Sequence, residues 1–521
     1  MSHPHPGQAL PAVPNLEQQR KRARELLNAA RAADGAAIER FRTHHPRFSS
    51  GKVPSLHDAQ LVIAREYGFP SWPRLKAHIE TVRAARTTHP IERDAQYYDD
   101  RARGLLAVLV DAAAPTIEQV RTWHPSYADA SDEAIRDAAR SGAFLLDDAR
   151  LVYAREHGFA TWPQFIDWLG RLARGEVTDP FLEALEAARR PNRDWARARG
   201  ILRRRPELAR ARGTNGNTLL NIASSLIACP ATPIGPAASP AARQRAEASA
   251  PNRLQAIREL LHAGADPNEP NDRGWTPLHQ AAYRNDPEMI QLLVASGTRV
   301  DASAHGDGGT PLSVALFWGN TEAAELLATQ GVLPENLRNA AGLGRIDLIE
   351  QLVPAPGRVT DQARAGRGFY RPHSGFPAWQ PSNGAQEILD EALVWAAKSG
   401  RVDAMAALVR KGARVDADVY RGTPLLWAAT KGRRTAASWL LDHGVDVNQR
   451  ATFGGPEHGV GVTALHLAAQ VDDVEMVELL LGRGGDPRIT DGLYNSTPAG
   501  WAEHCHARQA AEVLRKVAPR D

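Results

Sequence analysis

Apolar positions in the C-terminal two-thirds of this chain follow a two-part rhythm. A short run such as "GWTPLHQAA" (from Gly274) places Leu278, Ala281 and Ala282 on one face. A longer run such as "PEMIQLLVASG" repeats apolar residues at i, i+3 and i+4, the period of an amphipathic helix. The short run returns as "GTPLSVAL" at Gly309, "GTPLLWAA" at Gly422, "GVTALHLAA" at Gly461 and "STPAGWAE" at Ser496. Thr276 to Thr310 spans 34 residues, and so does Thr463 to Thr497. Each threonine can cap a helix whose first position suits proline. Each second helix runs to a glycine fit for the left-handed position after it: Gly264, Gly297, Gly412, Gly444 and Gly484. The pattern predicts a helix pair per unit, closed by an extended turn such as "GADPN" or "GVDVN".

On these motifs (TPLH, LLxxGAD and a period near 33 residues) the chain resembles the ankyrin-repeat family. The resemblance implies an all-α solenoid of helix pairs with short β-hairpin turns. About nine units are expected over 179–518, with insertions near 229–252 and 354–386. Two units, around "LRNAAGLGRIDLIEQLV" and "LVWAAKSGRVDAMAALV", lack TPLH but keep the alanine pair. In this family the histidine after TPL, here His279 and His466, is structural and bonds backbone of a neighbouring loop.

A second repeat fills the N-terminal region. "DAQLVIAREYGFPSWPRLKAHI" from Asp58 matches "DARLVYAREHGFATWPQFIDWL" from Asp148. Upstream, the segment from Ala23 matches that from Ala102. This predicts two helical units, 15–86 and 101–175, after a tail over 1–14. They are similar to a leader found on many bacterial ankyrin-repeat proteins, and they suit the role of a cap, since a solenoid's end units must differ from its middle.

Composition narrows the function. Charged residues make up 24% and the net charge is +3, so the chain as a whole is no polyanion binder. Two cysteines and no apolar leader point to a reducing, cytoplasmic setting, and no run has the length of a membrane span. Phosphate loops, nucleophile elbows and zinc-protease motifs are absent from the sequence. "EHCH" at Glu503–His506 has the residues of a metal site, but adjacent helical positions diverge, so it reads as the end of the last unit's helix. No cofactor or metal is expected, and the chain is read as a non-enzyme and a monomer.

The expected function is recognition of a protein partner. Family members bind through the concave side, where the residue before TPL and the pair after Ala-Ala are displayed. Here these include Trp275, Tyr283, Arg284, Phe317, Trp318, Thr430, Lys431 and Gln470. Aromatic residues and arginine dominate interface hot spots. The competing reading tucks Phe317 or Trp318 into the stack. Trp395, Trp427 and Trp501, one slot earlier, read as core. The insertion holds "GFYRPHSGFPAWQ", aromatic and proline-rich, with Tyr370, Arg371, His373 and Trp379 as candidate contacts. It is read either as a structural plug or as a specificity loop. Two alternatives stand beside the scaffold reading. One is an enzyme or small-molecule site under 363–386 using His373, Arg371 and Tyr370. The other is nucleic-acid or acidic-partner contact through the ten arginines between Arg189 and Arg212, set against only Asp194 and Glu207.

Overall fold

The computed structural model describes residues 16–46, 48, 53–76, 79, 88–112, 114–189, 194–225, 254–304, 308–331, 336–367, 381–419, 422–453 and 459–517. The chain divides into two compact units: residues up to 110, 114–182 and 212–214 in the first, and the remainder in the second.

The first unit contains helices α1 (Leu16–Arg31), α2 (Gly35–His44), α3 (Leu56–Glu66), α4 (Ala95–Val108), α5 (Ala114–Trp123), α6 (Asp132–Arg140), α7 (Leu146–Glu156) and α8 (Trp162–Ala173). The sequence duplication has a polar counterpart here. His45 Nε2 lies 3.0 Å from Asp58 Oδ1, and His124 Nε2 lies 3.0 Å from Asp148 Oδ1. Arg40 pairs with Glu66 at 2.7 Å, and Gln119 donates to Glu156 at 2.9 Å. All four pairs join residues that the two sequence copies place at matching positions. The glycines expected to end α3 and α7, Gly68 and Gly158, take left-handed φ of 78° and 87°. Thr161 occupies the N-cap of α8 but makes no side-chain cap bond.

Helices of the second unit come in pairs. After α9 (Pro180–Arg189) and α10 (Trp195–Arg204) come α11 (Leu219–Ser225) and α12 (254–262). Then follow α13 (Pro277–Tyr283) with α14 (Pro287–Ala295), α15 (Pro311–Phe317) with α16 (Thr321–Thr329), and α17 (Leu337–Leu343) with α18 (Ile346–Leu352). The array continues with α19 (Ala385–Lys398) and α20 (Val402–Arg410), α21 (Pro424–Thr430) and α22 (Arg434–Asp442), α23 (Ala464–Gln470) and α24 (Val474–Gly482), and α25 (Pro498–His504) and α26 (Arg508–Val517). A hairpin, β1 (Ala451–Thr452) against β2 (Val460–Val462), joins two layers. The fold is the all-α stack that the periodicity predicts.

Local chemistry explains the pairs. Thr310, Thr423 and Thr497 accept from the backbone N–H three residues on, at 3.2–3.3 Å, with proline at the first helical position. At Thr276 and Thr463 a histidine three residues on does more. His279 Nδ1 accepts from the Thr276 N–H at 3.1 Å and its Nε2 lies 2.9 Å from the Gly309 carbonyl oxygen. His466 repeats this with Thr463 and Ser496. Because Nδ1 accepts, Nε2 carries the proton and donates across to the next layer. Glycines 264, 297, 412, 444 and 484 all have positive φ, as the second-helix endings require.

One unit departs from the template. α19 has fourteen residues, whereas the first helices α13, α15, α21 and α23 have seven. Neither a Thr-Pro pair nor a capping side chain such as the Asn336 of α17 fixes its start, so the helix runs back to Ala385 and is buried from Ile388 to Lys398. The extra turns carry Glu387, Asp390 and Glu391.

The two histidines are buried, and burial lowers each to about pH 4 from the usual 6.5. An unfolded chain therefore takes up protons that the folded one refuses between pH 6.5 and about 4, and stability falls as pH falls through that window. Each histidine should cost roughly 1.4 kcal/mol per pH unit there. Thermal unfolding followed by circular dichroism from pH 7.5 to 5 should show the slope, and H279N/H466N should reduce it, leaving the share of His157, which burial also lowers to about 4. An unchanged slope in that variant would place the sensitivity elsewhere.

Candidate functional site

Every first helix closes on a left-handed residue: Asn285, Gly319, Gly344, Gly400 and Gly432 in five successive layers, with φ from 53° to 75°. The residue just before it is Arg284, Trp318, Leu343, Ser399 or Lys431. One further back stand Tyr283, Phe317, Gly342, Lys398 and Thr430. Since the same backbone geometry presents each, these positions form two parallel ladders along the stack.

Beside Arg284 and Trp318 of the outer ladder stand two more rings, Trp275 and, from the inner ladder, Tyr283. Trp275 and Tyr283 meet edge to face with centroids 5.9 Å apart, and Tyr283 meets Trp318 at 5.3 Å. Trp275, Tyr283 and Trp318 are half-buried, and the Arg284 guanidinium lies 5.3 Å from the Tyr283 ring centroid. Lys431 is also half-buried, and its stem lies where a side chain on Gly319 would be. Burial, with Arg433 nearby, lowers its ammonium to about pH 8. The structure thus brings Trp275, Tyr283, Arg284, Trp318 and Lys431 into one neighbourhood.

Phe317 is a correction to the sequence reading. It is 6% exposed, not displayed, and its ring lies beneath Lys398. Gly342 gives the reason. It stands between Phe317 and Lys398 on the inner ladder and offers no side chain; even a Cβ there would touch Leu316 at 3.0 Å. Lys398 therefore reaches past its neighbouring layer. Its ammonium donates to the Phe317 carbonyl oxygen at 3.1 Å. It also sits 4.7 Å from the Phe317 ring, 5.3 Å from Trp395 and 4.0 Å from Trp427. Lys398 is 1% exposed. A buried ammonium needs such compensation, and three ring faces and a carbonyl supply it. Trp395 and Trp427 are core. Arg433 ties the same layers by donating to the carbonyls of Lys398 and Gly319, at 3.1 and 2.9 Å.

A buried ionic clamp lies further along α19. Arg367 Nε is 2.9 Å from Glu391 Oε2, and Arg338 Nε is 3.8 Å from Glu391 Oε1. Arg338 also donates to the carbonyls of Ala365 and Gly366, and Arg367 to that of Ser382. The described ends of the insertion, up to Arg367 and from Pro381, are thereby fixed to the array. Gly308 helps, because a Cβ there would coincide with the backbone of Gly366. Tyr370, Arg371, His373 and Trp379 lie outside the described residues.

A cleft of about 380 Å³ at the insertion's base includes Glu387, Asp390, Arg414 and Asp418 in its lining. Its carboxylates are already engaged. Glu387 holds Arg367 at 2.7 Å, Asp390 holds Arg414 at 2.7 Å, and Asp418 accepts from Thr452 N–H at 3.0 Å. Nothing in this set is placed as a nucleophile beside a base. In the arginine-rich segment, Arg199 pairs with Glu259 at 3.1 Å and Arg210 donates to the Gly264 carbonyl, whereas Arg203, Arg204 and Arg205 are exposed. Of the "EHCH" stretch, His506 takes a left-handed φ of 59°, the turn position that Asn285 fills in an earlier layer. Among the described residues no group of His, Cys, Asp and Glu is arranged to hold a metal, and no helix is long and apolar enough to cross a membrane.

Sequence reasoning missed Lys398, Glu391, Arg338 and Arg367. The available signal was the missing Thr-Pro before "AQEILDEALVWAAK", which lengthens the helix and leaves charges where a core helix has none. Removing the charge of Glu391 with E391Q should leave the buried Arg338 short of a counter-ion and Arg367 with Glu387 alone, and cost about 3–5 kcal/mol in chemical denaturation. For Lys398, alanine should cost about 3–5 kcal/mol and methionine, which keeps the stem, about 1–2 kcal/mol. Equal losses for both would mean that neither stem packing nor the ring contacts matter.

Known proteins share this architecture. The family described as ankyrin repeats in three copies matches residues 246–336 and 337–451, and the single ankyrin repeat matches 460–492. The ankyrin repeat and KH domain-containing protein mask-1 of Caenorhabditis elegans is 26% identical over 251 residues, covering 47% of this chain and 9% of its own length. Neurogenic locus notch homolog protein 4 of Homo sapiens is 49% identical over 65 residues, 12% of this chain and 3% of its own. Palmitoyltransferase Hip14 of Drosophila melanogaster is 35% identical over 92 residues, 18% of this chain and 14% of its own. The chain spans only a small part of each of these relatives. The matched segments, residues 246–451 and 460–492, and the stacked helix pairs that they form are ankyrin repeats.

Proposed function

We propose that the protein is a non-catalytic interaction scaffold that grips another protein along the outer ladder of its first helices. The observation that carries this reading is the half-buried aromatic run Trp275–Tyr283–Trp318, which crosses two layers and is flanked by Arg284 and Lys431. Rings held edge to face by their neighbours lose little freedom on binding, and they are the residue types that anchor interfaces. Phe317 supports Trp318 from below, with centroids 5.3 Å apart. Tyr370, Arg371, His373 and Trp379 of the insertion are the further contacts in this reading. The two-cysteine composition supports a reducing, cytoplasmic setting.

The test is affinity capture with the intact protein, identification of the retained partner, and a binding isotherm for that pair. Replacing Trp318 or Tyr283 by alanine should weaken binding roughly 10- to 100-fold, the range of interface anchors. Unchanged affinity in both variants would move the interface off this ladder.

A further inference from the structure

Unpaired donors collect at this ladder and in the core just behind it. Arg284 Nε, Ser399 Oγ and Trp427 Nε1 are buried and have no hydrogen-bond partner among the described residues. Arg284 has no carboxylate against it there, and neither does Lys431, whose charged neighbour is Arg433. Each of these four groups can donate, and three of them can only donate. Buried donors without acceptors cost free energy until something supplies the acceptors. Elsewhere the array uses its carboxylates freely. Arg401 is paired with Glu325, Arg434 with Asp473 and Glu475, and Arg483 with Asp442. The cations of the ladder are the exception.

Placement sharpens the point. Gly319 stands beside the Lys398 carbonyl, which leads into Ser399, and beside the stem of Lys431. Gly319 follows Trp318, whose ring meets Tyr283, and Arg284 lies by the Tyr283 ring. The neighbourhood therefore runs cation, two rings, cation. Arg433 does not compete, because its donors are spent on backbone carbonyls. Glu322 and Glu325, the acids that act on Arg433, are engaged by Asn285 and Arg401, and Asp286 caps the helix that follows Arg284.

We propose that this ladder recognises an acidic segment of a partner protein, with carboxylates seated on Arg284 and on Lys431, and a bulky apolar side chain between them on Tyr283 and Trp318. This rests on the scaffold reading and names the chemistry of its partner. Two separated cations with rings between them suit isolated carboxylates around an apolar group. A nucleic-acid backbone, with a charge every few ångströms, calls for a continuous cationic track instead. Charge-assisted bonds to a guanidinium and an ammonium fix register, and the rings supply most of the buried area.

The experiment pans a random dodecamer peptide library, displayed on phage, against the intact protein and against an R284Q/K431Q double variant. Both proteins are first shown to melt alike by circular dichroism. Peptides retained by the intact protein should be enriched in Asp and Glu around Trp, Phe or Leu. A synthetic copy of a retained peptide should bind about tenfold or more tightly than its Asn/Gln counterpart, and the double variant should abolish that gap. Retained peptides without an excess of carboxylates would overturn the acidic preference and leave the scaffold reading standing. Retention of no peptide at all would overturn both. An acidic preference that persists in the double variant would move the site elsewhere in the chain. Displacement of the peptide by a dT12 oligonucleotide with steep salt dependence would replace the protein partner by a nucleic acid.

Discussion

A helix of two turns cannot sustain itself in water, since too few bonds offset the cost of nucleating it. Each seven-residue first helix of this chain is stable only because it is pressed between the helices of adjoining layers. That constraint dictates the rest. It demands alanine pairs such as Ala281–Ala282, Ala428–Ala429 and Ala468–Ala469, all fully buried, where two backbones must approach. It also demands that the turns between layers be tied, which His279 and His466 do by donating to the next layer's carbonyls.

Where the repeat is interrupted, the means of stabilisation changes. α19 starts two turns early and brings Glu391 into the interior, so the layer is held by charge as well as by apolar contact. A buried carboxylate between two guanidinium groups is weak as a source of net stability but selective in geometry. Here it fixes the described ends of an insertion that would otherwise leave the array at two free points. At the other end of the same helix, Lys398 joins layers that are not adjacent. The stack is therefore not a plain sum of nearest-neighbour contacts in this region, as an ideal repeat array is.

The same crossing shapes the face offered for binding. By drawing Phe317 under Lys398, it leaves Trp318 and Tyr283 as the rings at the surface. Arg433 spends its donors on carbonyls and so leaves Lys431, beside Gly319, as the cation without an acceptor among the described residues. The unpaired donors of the ladder are thus a consequence of how the interior was satisfied, and they carry the chemical bias that the proposed partner would meet.

The sequence by itself determined the helix pairs, their caps, their left-handed closing residues and the spacing of the ladder, because these depend on backbone bonds and side chains a few residues apart. Thr-Pro, the alanine pair and the terminal glycine state their roles locally, and so the family and most helix ends were legible. Matching positions in the two N-terminal copies likewise told which side chains would correspond, though not that His45 and His124 each meet a carboxylate. Tertiary structure alone decided that Phe317 is buried, that Lys398 lies among three rings, and that Arg338, Arg367 and Glu391 meet. Those outcomes depend on residues 24 to 81 positions apart and on an absent side chain at Gly342. No local pattern encodes such a meeting, since the energy that settles it is the desolvation of charges whose partners come from other layers.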